Sequence, residues 1–432
     1  MPELDDVLLR SVRTLDPFTG TDAVCDVLVE RGRIAAAGRA PFGIAGVRSL
    51  DCFGLWLFPG LVDMHVHLRV PGDGTSETLA TGFRAALAGG VTTLAMMPNT
   101  DPPLDSPGVV SDLLADCRRI GTVNALAVAC VTAGRRGEEM VDFRALHEAG
   151  AAAFSDDGSP VACRELFERA LEEISAFDGL FIEHPEDVTM SEGGILTAGP
   201  VADALGVTGI SESSESDYVG SCLDILGRIG GRLHLTHLSS PASVRLASDA
   251  SASGLGVTCD VTPHHIALSD RAVLEHGTRA KMNPPLRSEE SRAQLARLVA
   301  SGAVTAVASD HAPHSPSRKA GSLEEAAFGI TGLETLLPIS LEVLSGQVGM
   351  NVLQVLSLLT TGPASVLGLP PPSLEPGSGS FVLFDPSREW TLAEAGTQSL
   401  SRNTPFMDRV LEGRVVAVWN GGQVYGEDGP VD

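Results

Sequence analysis

His65 and His67 stand two residues apart where the apolar run Leu61-Val-Asp-Met64 ends. Alternate side chains along a strand point the same way, so the two imidazoles aim at one place, and Arg69 shares their parity if the extended backbone continues. Two converging imidazoles are half of a metal site. Alone, a His-X-His is a weak signal, because two surface histidines read the same. Here Pro71-Gly72 stops the chain just beyond the pair, and ligand-type residues recur in the same setting. Other apolar runs end in Asn99, in Ser155-Asp-Asp-Gly158, in Glu183-His-Pro185, in Thr236-His-Leu238 and in Ser309-Asp-His-Ala-Pro-His314.

Histidine nitrogens with carboxylates suit Zn²⁺, with Co²⁺ or Mn²⁺ as substitutes. His65, His67 and Asp310 would hold one ion and His184 with His237 a second, an aspartate at 157 bridging them. Such a pair lowers the pKa of a shared water from about 15.7 towards 7 and polarises a carbonyl. A carboxylate on the metal then carries the proton from nucleophile to leaving nitrogen. That is the equipment of an amide hydrolase. Taken singly, His184 or His237 reads more readily as a satisfied core histidine; their place at successive strand ends favours the ligand reading. Asp156 and Asp157 face opposite ways, and the residues alone leave the choice between them open. His234 reads as structural, His311 as packing or support, and His264 and His265 stay ambiguous. His314, beyond Ala-Pro, folds back over the pocket.

The elements that must carry these residues are legible as eight apolar runs, 57–67, 91–99, 123–132, 151–157, 179–187, 232–239, 257–265 and 304–314. Helix-period segments such as 77–88, 106–120, 163–177, 241–254 and 288–300 lie between them. Strand-helix alternation eight times over predicts an α/β (β/α)₈ TIM-like barrel, whose active site gathers at the C-terminal strand ends. Short β-segments separated by Gly, Pro and Asp turns occupy 1–58 and 371–432. Asn420-Gly-Gly422 between two of them is a hairpin signal. The expected division is therefore a barrel over 59–370 and a small β-domain built from both chain ends.

Composition bounds the function. Over 432 residues, 43% hydrophobic, the formal net charge is −25. Such a chain repels nucleic-acid backbones, and an anionic substrate must find its countercharge locally. No apolar run reaches membrane-spanning length, and Met1-Pro-Glu-Leu-Asp-Asp6 lacks the basic start of a secretory signal. Seven scattered cysteines without a Cys-X-X-Cys suggest reduced thiols in a cytoplasmic protein.

Asp63-Met-His-Val-His-Leu-Arg69, Met97-Pro-Asn-Thr-Asp101, Phe154-Ser-Asp-Asp-Gly158, Val261-Thr-Pro-His-His265, Met282-Asn-Pro-Pro-Leu-Arg287, Ser309-Asp-His-Ala-Pro-His314 and Arg402-Asn-Thr-Pro-Phe406 occur in this order. Together they resemble the dihydroorotases, specifically the type I bacterial branch of the amidohydrolase superfamily, and the likeness spans essentially the whole chain. It implies zinc-dependent, reversible cyclisation of N-carbamoyl-L-aspartate to (S)-dihydroorotate in pyrimidine (UMP) synthesis, with a metal-activated hydroxide. By position it implies one or two Zn²⁺, two favoured: His65 and His67 on the first, His184 and His237 on the second, and Asp157 as the bridge. Asp310 would be both a first-zinc ligand and the catalytic acid/base. Arg69, Asn99, Asn283 and His314, with the Phe328-Gly329 backbone, would hold the substrate. The resemblance leaves room for a homodimer and for association with an aspartate transcarbamoylase. Val70, Pro185 and Ser221-Cys222 depart from the family pattern without removing a ligand. Hydantoinases and allantoinases share the barrel but bridge their metals with a carboxylated lysine. The only lysines here are Lys281 and Lys319, neither on the fourth run. A metal-free scaffolding barrel would have lost ligands, and all six are present.

Overall fold

The computed structural model describes residues 6–38, 47–426 and 429–430; the reading of the chain start over 1–5 lies outside them. All eight runs become strands of one parallel sheet: Leu61–Val66, Val91–Met96, Asn124–Ala129, Ala151–Phe154, Leu180–Glu183, Arg232–Leu235, Val257–Val261 and Ala306–Val307, neighbours in that order. These are barrel strands one to eight. The seam between eight and one is stitched by a Val66–His311 bridge, with the His67 N–H donating to His311 O at 2.8 Å. The Asp63 carboxylate spans the same seam, accepting from the Ser309 and His65 N–H groups at 3.1 and 3.2 Å. Helices Leu79–Ala88, Pro107–Ile120, Phe143–Glu148, Arg164–Ser175, Ser213–Ile229, Pro241–Ala252 and Glu289–Ala300 return the chain between strands, and Val352–Leu359 follows the last. The predicted barrel is the observed one.

The helix expected from residue 77 starts at Leu79, because Thr78 caps it: its hydroxyl accepts from Thr81 N–H. Glu77 turns away, towards the hydroxyl of Ser399 and the imidazole of His311.

Strands from both chain ends form a second sheet. Trp56–Pro59, just before the barrel, pairs antiparallel with Phe381–Thr391, placing Phe381 opposite Pro59. Asn420-Gly-Gly422 makes the expected hairpin: Asn420 faces Gln423, and Gly421 and Gly422 adopt φ of 61° and 79°, as a tight two-residue turn requires. This sheet has its own core, in which Phe381 stacks on Trp419 at 4.8 Å. Gly60 joins the sheets, and a Cβ there would meet Thr92 Oγ1 at 2.0 Å. Only glycine fits.

Inside the barrel, Val62, Met64, Ala95, Met97, Val128, Ala153, Leu180, Ile182, Ala306 and Ala308 fill the interior, with Ala364 and Val366 among them. Small side chains suit this narrow space. The larger apolar cluster lies outside the strands, between sheet and helices. Five of the seven cysteines are buried. Among the described residues no helix is long and apolar enough to cross a membrane.

Candidate metal centre

The interior packing fixes which side chains reach the strand ends. Ala153 points inward, so Ser155 and Asp157 continue inward and Asp156 does not. Asp156 instead accepts the N–H groups of Val131 and Thr132 at 2.9 and 3.1 Å, and also the Thr132 hydroxyl. This decides between the two acids. Ile182 likewise sends His184 inward, Met97 sends Asn99, and Ala308 sends Asp310.

Strand one breaks the rule. Val62 and Met64 point inward, so unbroken alternation would turn both histidines outward. A register irregularity between Asp63 and Val66 reverses the parity and delivers His65 and His67 to the centre. On strand six, His234 lies in the interior, its nitrogens bonded to Asp260 and Thr258 at 2.8 Å each. His237 reaches the cluster through a left-handed backbone, φ 40°. Arg69 does the same with φ 57°, so its approach does not come from continued strand parity. Asp310, at φ 45°, is a third non-glycine residue in this costly region. Three such residues at one site mark a geometry that the surrounding packing imposes.

The six residues meet in a buried cluster, none more than 5% exposed. Asp157 Oδ2 lies 3.2 and 3.3 Å from the Nε2 atoms of His65 and His67. Its Oδ1 lies 3.1 Å from His237 Nε2 and 3.4 Å from His184 Nδ1. Asp310 Oδ1 lies 3.2 and 3.6 Å from the first histidine pair. One carboxylate thus faces two histidine pairs, one oxygen to each.

Tautomers follow from the outer partners. His65 Nδ1 is 2.6 Å from Thr236 Oγ1, which donates its own proton to Asp260, so Nδ1 carries the hydrogen. His67 Nδ1 faces Asn99 Oδ1 at 2.6 Å and must donate as well. Both Nε2 atoms therefore turn lone pairs towards each other across 3.2 Å, which repels unless a proton or a cation lies between. The donor set fits a divalent cation, with His65, His67 and Asp310 as one group and His65, Asp157 and His237 as an overlapping one.

Without a cation, protons do the work. Burial alone would lower the His65 pKa, but the Asp157 carboxylate overcomes it and raises it to about 9. His184 is likewise raised to about 10 against burial, by Asp157 and Glu186. Burial would raise the acids, yet His65, His184 and His237 hold Asp157, and His67, His65 and His237 hold Asp310, well below the usual carboxylate range.

Every expected substrate contact borders one cavity of about 340 Å³, together with His67, Asp157, His184, His237 and Asp310. At its mouth Arg69 has no ion-pair partner among the described residues; its Nε reaches only Pro313 O, at 3.4 Å. His314 donates Nε2–H to Phe328 O at 2.6 Å, and burial beside Arg69 holds its pKa down at about 3, keeping it neutral. Asn283 donates to Glu186, which in turn holds His184 Nε2 at 3.0 Å. Gly329 N–H is already used by Lys281 O, whereas Phe328 N–H has no partner among the described residues.

Sequence reasoning missed Glu186, Thr236 and Asp260, which orient the histidines, and Asn403, whose amide clasps Ala312 O and Gly329 O at 3.0 Å each. Glu186 and Thr236 are adjacent to ligand motifs and Asn403 lies within the Arg402–Phe406 motif, so these had a signal without a role attached; Asp260 had none. The ambiguous pair also separates: His265 is bonded to Thr262 and Pro284 O, while His264 Nε2 is buried without a partner among the described residues.

The profile of a family described as Dihydro-orotase-like matches residues 54–243. A dihydroorotase of Geobacter sp. (strain M21) is 38% identical, over 98% of this chain and 100% of its own length. The dihydroorotase of Pelotomaculum thermopropionicum is 40% identical over 98% of this chain and 99% of its own. Among solved structures, the L-hydantoinase of Arthrobacter aurescens superposes with a TM-score of 0.87 over 99% of this chain and 98% of its own, at 22% identity. The dihydropyrimidinase of Brevibacillus agri NCHU1002 gives 0.82 over 96% and 94%, at 20% identity. At that identity the structural likeness speaks for the barrel fold alone. The full-length relatives carry the conclusion: this chain belongs to the dihydroorotase family.

Proposed function

We propose that this protein is a zinc-dependent dihydroorotase, converting N-carbamoyl-L-aspartate reversibly to (S)-dihydroorotate in pyrimidine synthesis. One observation carries the reading. A single cavity is bordered both by the carboxylate–imidazole cluster and by a guanidinium that has no carboxylate partner among the described residues. His65, His67 and Asp310 would hold one zinc, His184 and His237 a second, and Asp157 would serve both. Bound ions supply Lewis acidity, acidifying a water and polarising the carbonyl under attack.

The chain's own residues do the rest. Arg69 binds the carboxylate that the reaction leaves unchanged, in a charge-assisted contact. Asn99, whose oxygen is committed to His67, offers its amide N–H₂ to the same group, and Phe328 N–H and His314 complete the wall. Asn283 lines the opposite side and keeps Glu186 on His184. In cyclisation the ureido nitrogen forms a C–N bond to the side-chain carboxyl carbon. Asp310 takes the proton from that nitrogen and gives it to the departing oxygen, which gains one further proton from solvent and leaves as water. Hydrolysis runs the same path backwards.

The cyclic-ureide alternative needs a lysine beside the metals. Lys281 and Lys319 are instead bonded to backbone carbonyls of the 323–329 segment and of residue 281. The same reading assigns 59–370 to the catalytic barrel and 1–58 with 371–432 to the small β-domain, and places the enzyme in the cytoplasm. All six cluster residues come from this one chain, so neither a second copy nor a transcarbamoylase is required to complete the centre. Metal analysis of the purified protein alongside dihydroorotate hydrolysis tests the proposal. Chelated protein should lose activity and regain it with Zn²⁺ or Co²⁺. Full turnover by metal-free protein overturns it.

A further inference from the structure

The chain has 30 basic residues of the Lys/Arg type, and only Lys281 and Lys319 are lysines. Both are buried, and both serve one stretch of backbone. Lys319 Nζ donates to Lys281 O, Ala327 O and Gly329 O at 3.0, 2.8 and 3.0 Å. Lys281 Nζ donates to Leu323 O and Ala326 O at 2.5 and 2.7 Å and lies 4.1 Å from the Phe328 ring centre. Three carbonyls converging on one buried point call for a tetrahedral donor with three hydrogens. A planar guanidinium fans its donors outward and cannot meet them. This explains why lysine stands here in a chain that otherwise uses arginine.

The clamped stretch is the cavity wall. Phe328 O accepts from His314, and Gly329 packs so closely that a Cβ would sit 2.6 Å from the Ala312 side chain and 3.2 Å from His314 Nε2. Shifting residues 327–329 therefore shifts His314 and the Phe328 N–H, which has no partner among the described residues. We infer that Lys319 is a positioning residue for substrate binding, acting by fixing the 327–329 wall against His314 from behind. The inference rests on the dihydroorotase reading. It adds that ground-state recognition depends on an ammonium that touches neither metal nor substrate.

The test is steady-state kinetics on zinc-loaded enzyme with dihydroorotate, together with a double-mutant cycle. Lys319→Met should raise KM about tenfold, lower kcat less than threefold and leave bound zinc unchanged. Lys319→Arg should not rescue KM, because its fork cannot replace the three-way contact. His314→Ala should also raise KM, and adding Lys319→Met to it should cost little more, since both act on one wall. A lysine that merely supports the fold would give losses that multiply, or would lower zinc content and kcat together; either result overturns the inference. If Lys319→Met fails to fold, Lys319→Gln, which keeps two donors, replaces it in the cycle under the same criteria. No turnover by zinc-loaded wild type overturns the dihydroorotase reading and this inference with it. Turnover with additive losses overturns the inference alone.

Discussion

Asp157→Asn tests the centre most directly, because one carboxylate faces both histidine pairs at 3.1–3.4 Å. The substitution keeps size and shape but removes the charge and replaces one oxygen with an N–H₂ group, which cannot ligate. In the metal-free protein at pH 7, His65 and His184 are protonated, with pKa values of about 9 and 10. For His65 the rise from 6.5 to about 9 corresponds to about 3 kcal/mol of stabilisation of the imidazolium, with Asp157 the largest favourable contributor. The His184 and His65 effects share one carboxylate and do not add. The expected loss of stability is therefore about 3–5 kcal/mol, the range for breaking a buried ion pair. Denaturant unfolding of the chelated proteins measures it. Zinc-loaded variant should also hold one ion fewer than wild type after dialysis. Wild-type zinc content, together with an unfolding free energy changed by less than about 1 kcal/mol, would refute the bridging role.

Three further expectations concern single residues. Asp310→Asn should keep the fold and lose turnover by about 10²-fold or more, with the corresponding limb missing from the pH–rate profile; near wild-type turnover moves proton transfer elsewhere. Arg69→Met should weaken dihydroorotate binding by about 2–5 kcal/mol at unchanged zinc content. Any turnover of uncharged dihydrouracil should be affected far less, and equal losses on both would show that Arg69 does not read the carboxylate. Lys319 has its pKa lowered from 10.5 to about 7, chiefly by burial. Between those values the unfolded chain binds more protons, so this group's contribution to stability grows as pH rises from about 7 to about 10.5 and is lost as pH falls back. Unfolding of chelated protein across that window should show Lys319→Met lacking a slope that approaches about 1.4 kcal/mol per pH unit; identical slopes would count against a buried Lys319.

What the sequence determined by itself is the set of elements and the chemistry at their ends. Eight apolar runs, each long enough for a strand and separated by helix-period segments, leave few alternatives to a parallel barrel. A parallel barrel puts every strand's C-terminal end on one rim. His65, His67, His184, His237 and Asp310, with one acid of the pair Asp156 and Asp157, were legible for that reason, because strand order and residue type suffice to collect them. Strand alternation even orders Asp157 over Asp156 once Ala153 is known to face inward, but that knowledge is tertiary. The irregularity between Asp63 and Val66 depends on pairing with the neighbouring strand, and no local pattern in Leu61-Val-Asp-Met64 announces it. The left-handed turns at Arg69, His237 and Asp310 are non-glycine conformations that cost energy locally and persist because surrounding packing holds them. Likewise Asp260, 23 residues beyond His237, and Asn403, 89 residues beyond His314, became partners of the site only when the chain folded back. Sequence fixes side-chain chemistry and local period, whereas the direction of a side chain at a strand end is decided by neighbours far away in the chain.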